Sequence, residues 1–214
     1  MAISLKKGQG VSLKKSEYDL SMVTIGLGWD IKEEKKGLLG GIFSKKEEEY
    51  DLDVIAFLCD ANNKVKNLGQ VDTSNRVNLV GGDIVFFNSL RHDSGCIWLT
   101  GDNRTGAGDG DDEQIVAKLN DLPDIYTKIV FVVQIYKGKE RGQNFGKVQN
   151  AFIRAVDNKN KEMVRFDLSG GAAFTEYCSM LFAEMVREPG GWKFNAIGSP
   201  DTSDSFATWL KQYC

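Results

Sequence analysis

Short runs rich in Val, Ile, Phe and Thr recur along the chain between clusters of Gly, Asn and Asp, and proline is nearly absent, with three in 214 residues. The intervening residues supply the backbone angles of tight turns, and the runs are too brief for core-burying helices, so the pattern restricts the chain to a β-rich body. Candidate strands are Met22–Trp29, Leu52–Leu58, Ile84–Phe87, Ile97–Thr100, Ile115–Leu119, Lys128–Tyr136, Ala151–Val156, Glu162–Asp167 and Trp192–Ile197. Asp60–Lys64 (DANNK) and Asp157–Lys161 (DNKNK) each join two such runs and read as hairpin tips. Helical spacing appears only late, over Ala172–Arg187, where apolar residues recur near every third or fourth position, and around Phe206–Tyr213. A doubly wound α/β chain would alternate helix and strand throughout. The expected fold class is therefore mainly β, a two-sheet β-sandwich with one or two C-terminal helices packed on it.

A single domain over 1–214 is expected, with a mobile inserted loop at 32–49, because KEEKKGLLGGIFSKKEEE sets charged blocks on either side of the apolar island Gly37–Phe43. The island reads either as a solvated excursion or as a docking patch, in which Leu38, Leu39, Ile42 and Phe43 make direct membrane contact between lysines that face acidic lipid.

Net charge is only -3, so no basic field draws nucleic acid, which is excluded as a partner. The four cysteines form no CxxC pair and His92 is the only histidine, which leaves zinc chemistry poorly supported. With no charged and apolar leader, and no run near the ~18 apolar residues of a membrane span, a cytoplasmic location with reduced thiols is expected. Cys59 and Cys178 lie in apolar runs and read as inert core residues, and Cys214 as exposed.

The run Gly101–Glu113, GDNRTGAGDGDDE, packs five carboxylates and four glycines around one cation, Arg104. Carboxylates crowded at ~4 Å repel by about 1 kcal/mol per pair even at the dielectric of water. A hard divalent ion offsets this directly, since calcium takes oxygens from carboxylates, Asn side chains and backbone, and glycine lets carbonyls turn inward. The competing reading is a solvated acidic turn. The EF-hand template fails, because from Asp109 the sixth position is Gln114 and no acid closes the twelfth. A calcium site would therefore be assembled from several loops. Asp30 closes one candidate strand, and Asp51 and Asp53 open the next on a shared face, although both also read as strand-end aspartates in water. Asn88 is a weaker contributor. Strand parity leaves open whether Asp102 lies at the same end as Asp30.

Phosphate-binding motifs fail: the acidic run has no Lys-Ser/Thr pair, and Gly26-Leu-Gly28 leads into Trp29-Asp30 rather than a third glycine. A nucleophile–base pair would need His92, which stands in the polar turn RHDSG and reads as a surface residue. A metal-dependent hydrolase acting on phosphoester or nucleotide substrates remains the alternative from another class. Trp29, Phe86, Phe87, Trp98, Phe131, Phe145, Phe152 and Phe166 fall within or beside strand runs and read as core rather than as a stacking platform.

The succession SLKKGQGVSLKK (Ser4–Lys15), GLGWD (Gly26–Asp30), YDLD (Tyr50–Asp53), VFFN (Val85–Asn88), TGDNRTGAGDGDDE (Thr100–Glu113), QNFGKVQNAFIR (Gln143–Arg154), RFDL (Arg165–Leu168) and GGWKFNAIG (Gly190–Gly198) closely resembles the tellurium-resistance TerD family, in order and over nearly the whole chain. The resemblance implies a bacterial, cytoplasmic, non-enzymatic β-sandwich that binds calcium at one rim and serves in stress resistance. By motif it implies ligands among Asp30, Asp51, Asp53, Asn88, Asp102, Asn103, Asp109, Asp111, Asp112 and Glu113, with Gly110 offering its carbonyl, a set that suits two calcium ions. The implied partners are other stress-cluster proteins or a membrane-associated complex. Two departures stand out: the 32–49 insertion lies between two ligand-bearing motifs, and Leu99 stands where the family pattern has a histidine.

Overall fold

The computed structural model describes residues 2–31, 50–71, 73–100, 110–168 and 172–214, so the expected 32–49 insertion and its island at 37–43 lie outside the described residues. The strands are β1 (Ile3–Leu5), β2 (Gly10–Lys14), β3 (Val23–Ile31), β4 (Leu52–Cys59), β5 (Ile84–Val85), β6 (Ile97–Leu99), β7 (Glu113–Ala117), β8 (Lys128–Ile135), β9 (Val148–Val156), β10 (Glu162–Leu168), β11 (Ser179–Glu188) and β12 (Gly191–Asp201). They form two six-stranded sheets, in the orders β1-β10-β9-β3-β7-β6 and β2-β12-β11-β8-β4-β5. All the pairings are antiparallel except that of β1 with β10.

Alternation decides which residues reach the core. Ile25, Leu27 and Trp29 of β3 point inward and are buried with Leu52, Val54, Ala56 and Leu58 of β4 between the sheets. On β4 the other parity, Ile55, Phe57 and Cys59, joins Val130, Val132 and Leu181 in a second apolar layer on the far face of that sheet. This layer is roofed by the short helix α2 (Ala207–Leu210) and the 3-10 turn Lys211–Tyr213, through Phe206, Trp209 and Leu210. Trp209 Nε1 donates to Ser179 Oγ at 2.9 Å, and the Val65 amide donates to the Tyr213 carbonyl at 2.7 Å, which ties the C-terminal segment down.

The expected C-terminal helix at Phe206–Tyr213 is therefore present, and the one at Ala172–Arg187 is not. A 3-10 turn covers Ala172–Phe174, and Ser179–Glu188 is β11, a central strand between β8 and β12. Its residues are buried from both sides, by the inter-sheet core at Met180, Phe182, Ala183 and Met185 and by the roof at Leu181. A doubly covered strand reads as a continuous apolar run, and the register shift between Leu181 and Ala183 further breaks its period, so its spacing mimics a helix. Among the described residues no helix is long and apolar enough to cross a membrane.

Candidate functional site

One rim of the sandwich gathers the ends of β3 and β8 and the starts of β4, β7 and β9, as the registers Leu27↔Glu113, Asp30↔Gln149 and Leu52↔Ile135 require. Leu99 pairs with Ile115, and the Thr100 amide donates to the Gln114 carbonyl at 3.0 Å. Both flanks of the acidic run thus meet this rim, a point that strand parity alone leaves open. Asp102, Asn103 and Asp109 lie outside the described residues.

The leg Gly110–Glu113 is fastened residue by residue. The two glycines of GLGWD face outward on β3 and make room for it. A Cβ on Gly28 would come within 2.6 Å of the Gly110 carbonyl oxygen, and one on Gly26 within 2.2 Å of the Asp111 carboxylate. Asp111 lies across Gly26, accepting from Arg154 Nε at 2.7 Å and from Gln114 Nε2 at 3.2 Å, with its side chain 2% exposed. The Asp112 amide donates to the Leu27 carbonyl at 2.8 Å, and Asp112 Oδ2 accepts from the Trp29 amide at 2.9 Å. Glu113 turns inward, is 2% exposed and accepts from the Val54 amide at 2.5 Å, joining the two sheets.

Electrostatics separate these acids. Burial first, and then the nearby charges of Asp30 and Asp111, push the Asp112 carboxyl above its ordinary range. The Trp29 amide acts in the opposite direction. Asp30 is exposed beside it and accepts from Asn150 Nδ2 at 2.6 Å. Asp111, by contrast, faces Arg154, whose own pKa is raised, chiefly by that hydrogen bond.

The remaining expected site residues are spread more widely. Asp51 is half-buried at the rim, where its carbonyl accepts from the Tyr136 amide at 2.8 Å. Asn88 is exposed next to Phe87, whose ring lies 6.3 Å from that of Tyr136. Asp53 shares the outer face of its sheet with Ile55 and is 5% exposed. Gln134 Nε2 donates to it at 3.0 Å, and Gln134 Oε1 accepts from the Phe206 amide at 2.7 Å, so Asp53 steadies the C-terminal roof. The structure therefore brings Asp30, Gly110, Asp111 and Asp112 together, sets Glu113 beneath them, and turns Asp53 to the opposite side of the molecule. Among the described residues no three His, Cys, Asp or Glu form a group able to hold a metal.

Arg154 and Gln114 join the site without an acidic signal of their own, and the mark they leave in the sequence is the Gly-x-Gly inside a strand, where another group approaches the backbone closely.

His92 is not a surface residue. It is 4% exposed at the opposite rim, with Nε2 at 3.2 Å from Asp83 Oδ1 and Nδ1 at 2.8 Å from Ser94 Oγ. Polar neighbours in sequence concealed this, because Asp83, the partner that satisfies the ring in the interior, is supplied from another segment. The order Ser–His–Asp resembles an acyl-transfer relay, but Ser94 is committed to its own turn. Its Oγ accepts from the Cys96 amide at 3.2 Å, and its amide donates to His92 Nδ1 at 3.1 Å. Asp83 also accepts from the Lys66 and Asn67 amides and from the Tyr126 hydroxyl. The cluster is a structural hub.

The chain matches the TerD domain over residues 1–213. It is 70% identical over 213 residues to tellurium resistance protein TerX of Serratia marcescens, covering 100% of both chains. It is 41% identical to tellurium resistance protein TerD of an Alcaligenes species, covering 92% of this chain and 90% of that one. Neither name carries an enzymatic activity. A crystal structure of a homologue of telluride resistance protein (TerD) from Streptomyces coelicolor A3(2) shares the fold, with a TM-score of 0.61 at 19% identity over 91% of this chain and 98% of that one. With the motif order, the sandwich and the whole-length match in agreement, the chain belongs to the TerD family of tellurium-resistance proteins.

Proposed function

We propose that this chain is a calcium-binding, non-enzymatic stress-response protein of the cytoplasm, in which calcium orders the acidic rim so that a partner is recognised. Family membership supports the stress-resistance role. The observation that carries the calcium reading is the crowding of Asp112 by Asp30 and Asp111 at the rim where both flanks of the acidic run converge. Each of these groups offers hard oxygen, which suits calcium and not the thiolate or imidazole chemistry of zinc. Asp30, Asp112 and the Gly110 carbonyl are the described groups best placed to contribute, with Asp51 and Asn88 at the margin. The rest of a six- to eight-oxygen shell would come from Asp102, Asn103 and Asp109.

Bound calcium would supply countercharge to Asp30 and Asp112, the carboxylates crowded at this rim. Because it binds the folded state, occupancy at a hundred times Kd adds about 2.7 kcal/mol of stability. The partners would be other stress-cluster proteins or a membrane-associated complex.

Calorimetric titration of metal-stripped protein with calcium and with magnesium tests the reading. Micromolar or tighter calcium binding is expected, unmatched by magnesium and lost in the Asp109→Asn/Asp112→Asn variant. Absence of heat together with an unchanged melting temperature would reduce the acidic run to a solvated turn.

A further inference from the structure

We infer that Arg154 is a built-in counter-cation of the acidic rim, which withdraws Asp111 from the metal shell and thereby sets the calcium affinity of the site. The inference rests on the calcium reading above. The guanidinium is held from three sides. Its Nε donates to Asp111 Oδ1 at 2.7 Å, its NH1 donates to Glu162 Oε2 at 2.8 Å, and its carbon lies 5.8 Å from the Phe152 ring centre. Arg165 covers the same ring at 3.7 Å and fixes it. Gly26 completes the seat, since any side chain there would collide with the Asp111 carboxylate.

Arginine keeps its charge at every physiological pH and presents a rigid fork to carboxylates, so the cation is constantly available to Asp111. Asp111 is also 2% exposed, with Gln114 Nε2 on its other oxygen, and a metal ion would have to break both contacts to use it. Asp111 thus joins Asp53 as a carboxylate that the sequence offers to calcium and the fold commits elsewhere. The Asp111 carboxylate instead acts as a strut, positioning Gly110 and Asp112 on either side of it.

The test is calcium titration of three metal-stripped proteins, followed by calorimetry and by melting temperature: wild type, Arg154→Gln, and Arg154→Gln/Asp111→Asn. Removing the cation alone leaves Asp111 uncompensated. Arg154→Gln is expected to melt lower when stripped and to bind calcium about tenfold more tightly than wild type, since a full charge is returned to the rim. The double variant replaces a charged pair with two amides that still hydrogen-bond, so it is expected to fold and to bind calcium with wild-type affinity and stoichiometry.

Loss of calcium binding in the double variant, with wild type binding normally, would make Asp111 a ligand and overturn the inference. Unchanged or weaker binding in a folded Arg154→Gln would overturn it too. No binding by wild type itself would overturn the calcium reading and this inference together.

Discussion

At the rim where β4 and β9 finish, aspartates are wrapped in donors, whereas at the rim where they begin, Asp112 is crowded by Asp30 and Asp111. Asp60 accepts from the Asn62 and Lys64 amides and pairs with Lys66 at 2.9 Å. Asp157 accepts from the Lys159, Lys161 and Asp19 amides, and Asp83 accepts from two amides and a hydroxyl. The hydrogen bond from Lys66 and the Lys64 amide hold the Asp60 carboxyl down to about 2. Asp112, across the molecule, is pushed up by burial, Asp30 and Asp111. The contrast teaches that acid content by itself does not mark a cation site. A carboxylate surrounded by amides has its countercharge in the backbone, and one crowded by its own kind does not.

The strongest way to sharpen the contrast is to neutralise one aspartate at each rim. Asp83→Ala strands the Tyr126 hydroxyl, His92 Nε2 and two amides in a site 3% exposed, and is expected to cost on the order of 3 kcal/mol in urea unfolding. Asp112→Asn keeps an acceptor for the Trp29 amide and removes like-charge crowding, so metal-stripped protein is expected to be no less stable. A large loss there would break the comparison. Next in size is Gly26→Ala, whose Cβ would sit 2.2 Å from the Asp111 carboxylate and lift the leg from the sheet. A cost of about 1–3 kcal/mol is expected, as for overpacking in general, read as a lower melting temperature.

Acid titration gives a smaller effect of opposite sign at the two rims. Asp60 is depressed on folding, so its contribution is present above the ordinary value of 3.8 and is lost as the pH falls through about 2. Asp112 is raised on folding, so its ionisation penalises the fold above its raised pKa, and that penalty is relieved as the pH falls toward 3.8. Difference curves of stability against pH for Asp60→Asn and Asp112→Asn in stripped protein should therefore slope in opposite directions. Curves of the same sign would contradict the assignment. The smallest expected change belongs to Cys214→Ser, an exposed position whose Sγ donates to the Leu210 carbonyl and whose own carbonyl accepts from Lys64 Nζ whatever the side chain. Its stability should stay within about 0.5 kcal/mol of wild type, and its calcium titration should be unaltered.

Much of the sandwich is legible because its strands are short runs of apolar and β-branched residues and its turns are spelled in Asn and Asp. Asn63 and Asn160, with φ of 60° and 59°, take the left-handed angles in two turns that share one bonding pattern, aspartate amide to lysine carbonyl. The second turn is the β9–β10 hairpin. The first leads instead into a long coil before β5. The short edge strands β1 and β2 carry no run long enough to announce themselves, and β11, covered on both faces, loses the alternation that would have revealed it. Cys59 and Cys178 are buried and Cys214 exposed, as their apolar or terminal surroundings suggest.

At the site, composition picked out the acidic residues, but their roles depend on partners distant in sequence. Asp111 meets Arg154, Glu113 meets the Val54 amide, and Asp53 meets Gln134. Spacing along one strand cannot foresee which carboxylates the fold will neutralise, and the burial of His92 is hidden for the same reason, its Asp83 partner coming from outside its own turn.

Amide hydrogen exchange of metal-stripped protein, with and without saturating calcium, compares the two rims within one sample. Protection is expected to rise at Leu27–Asp30 and Gly110–Glu113 and to stay unchanged at Asp60–Lys64 and Asp157–Lys161. Equal change at both rims, or none at either, would contradict the assignment of the acidic rim as the place where this protein takes its cation.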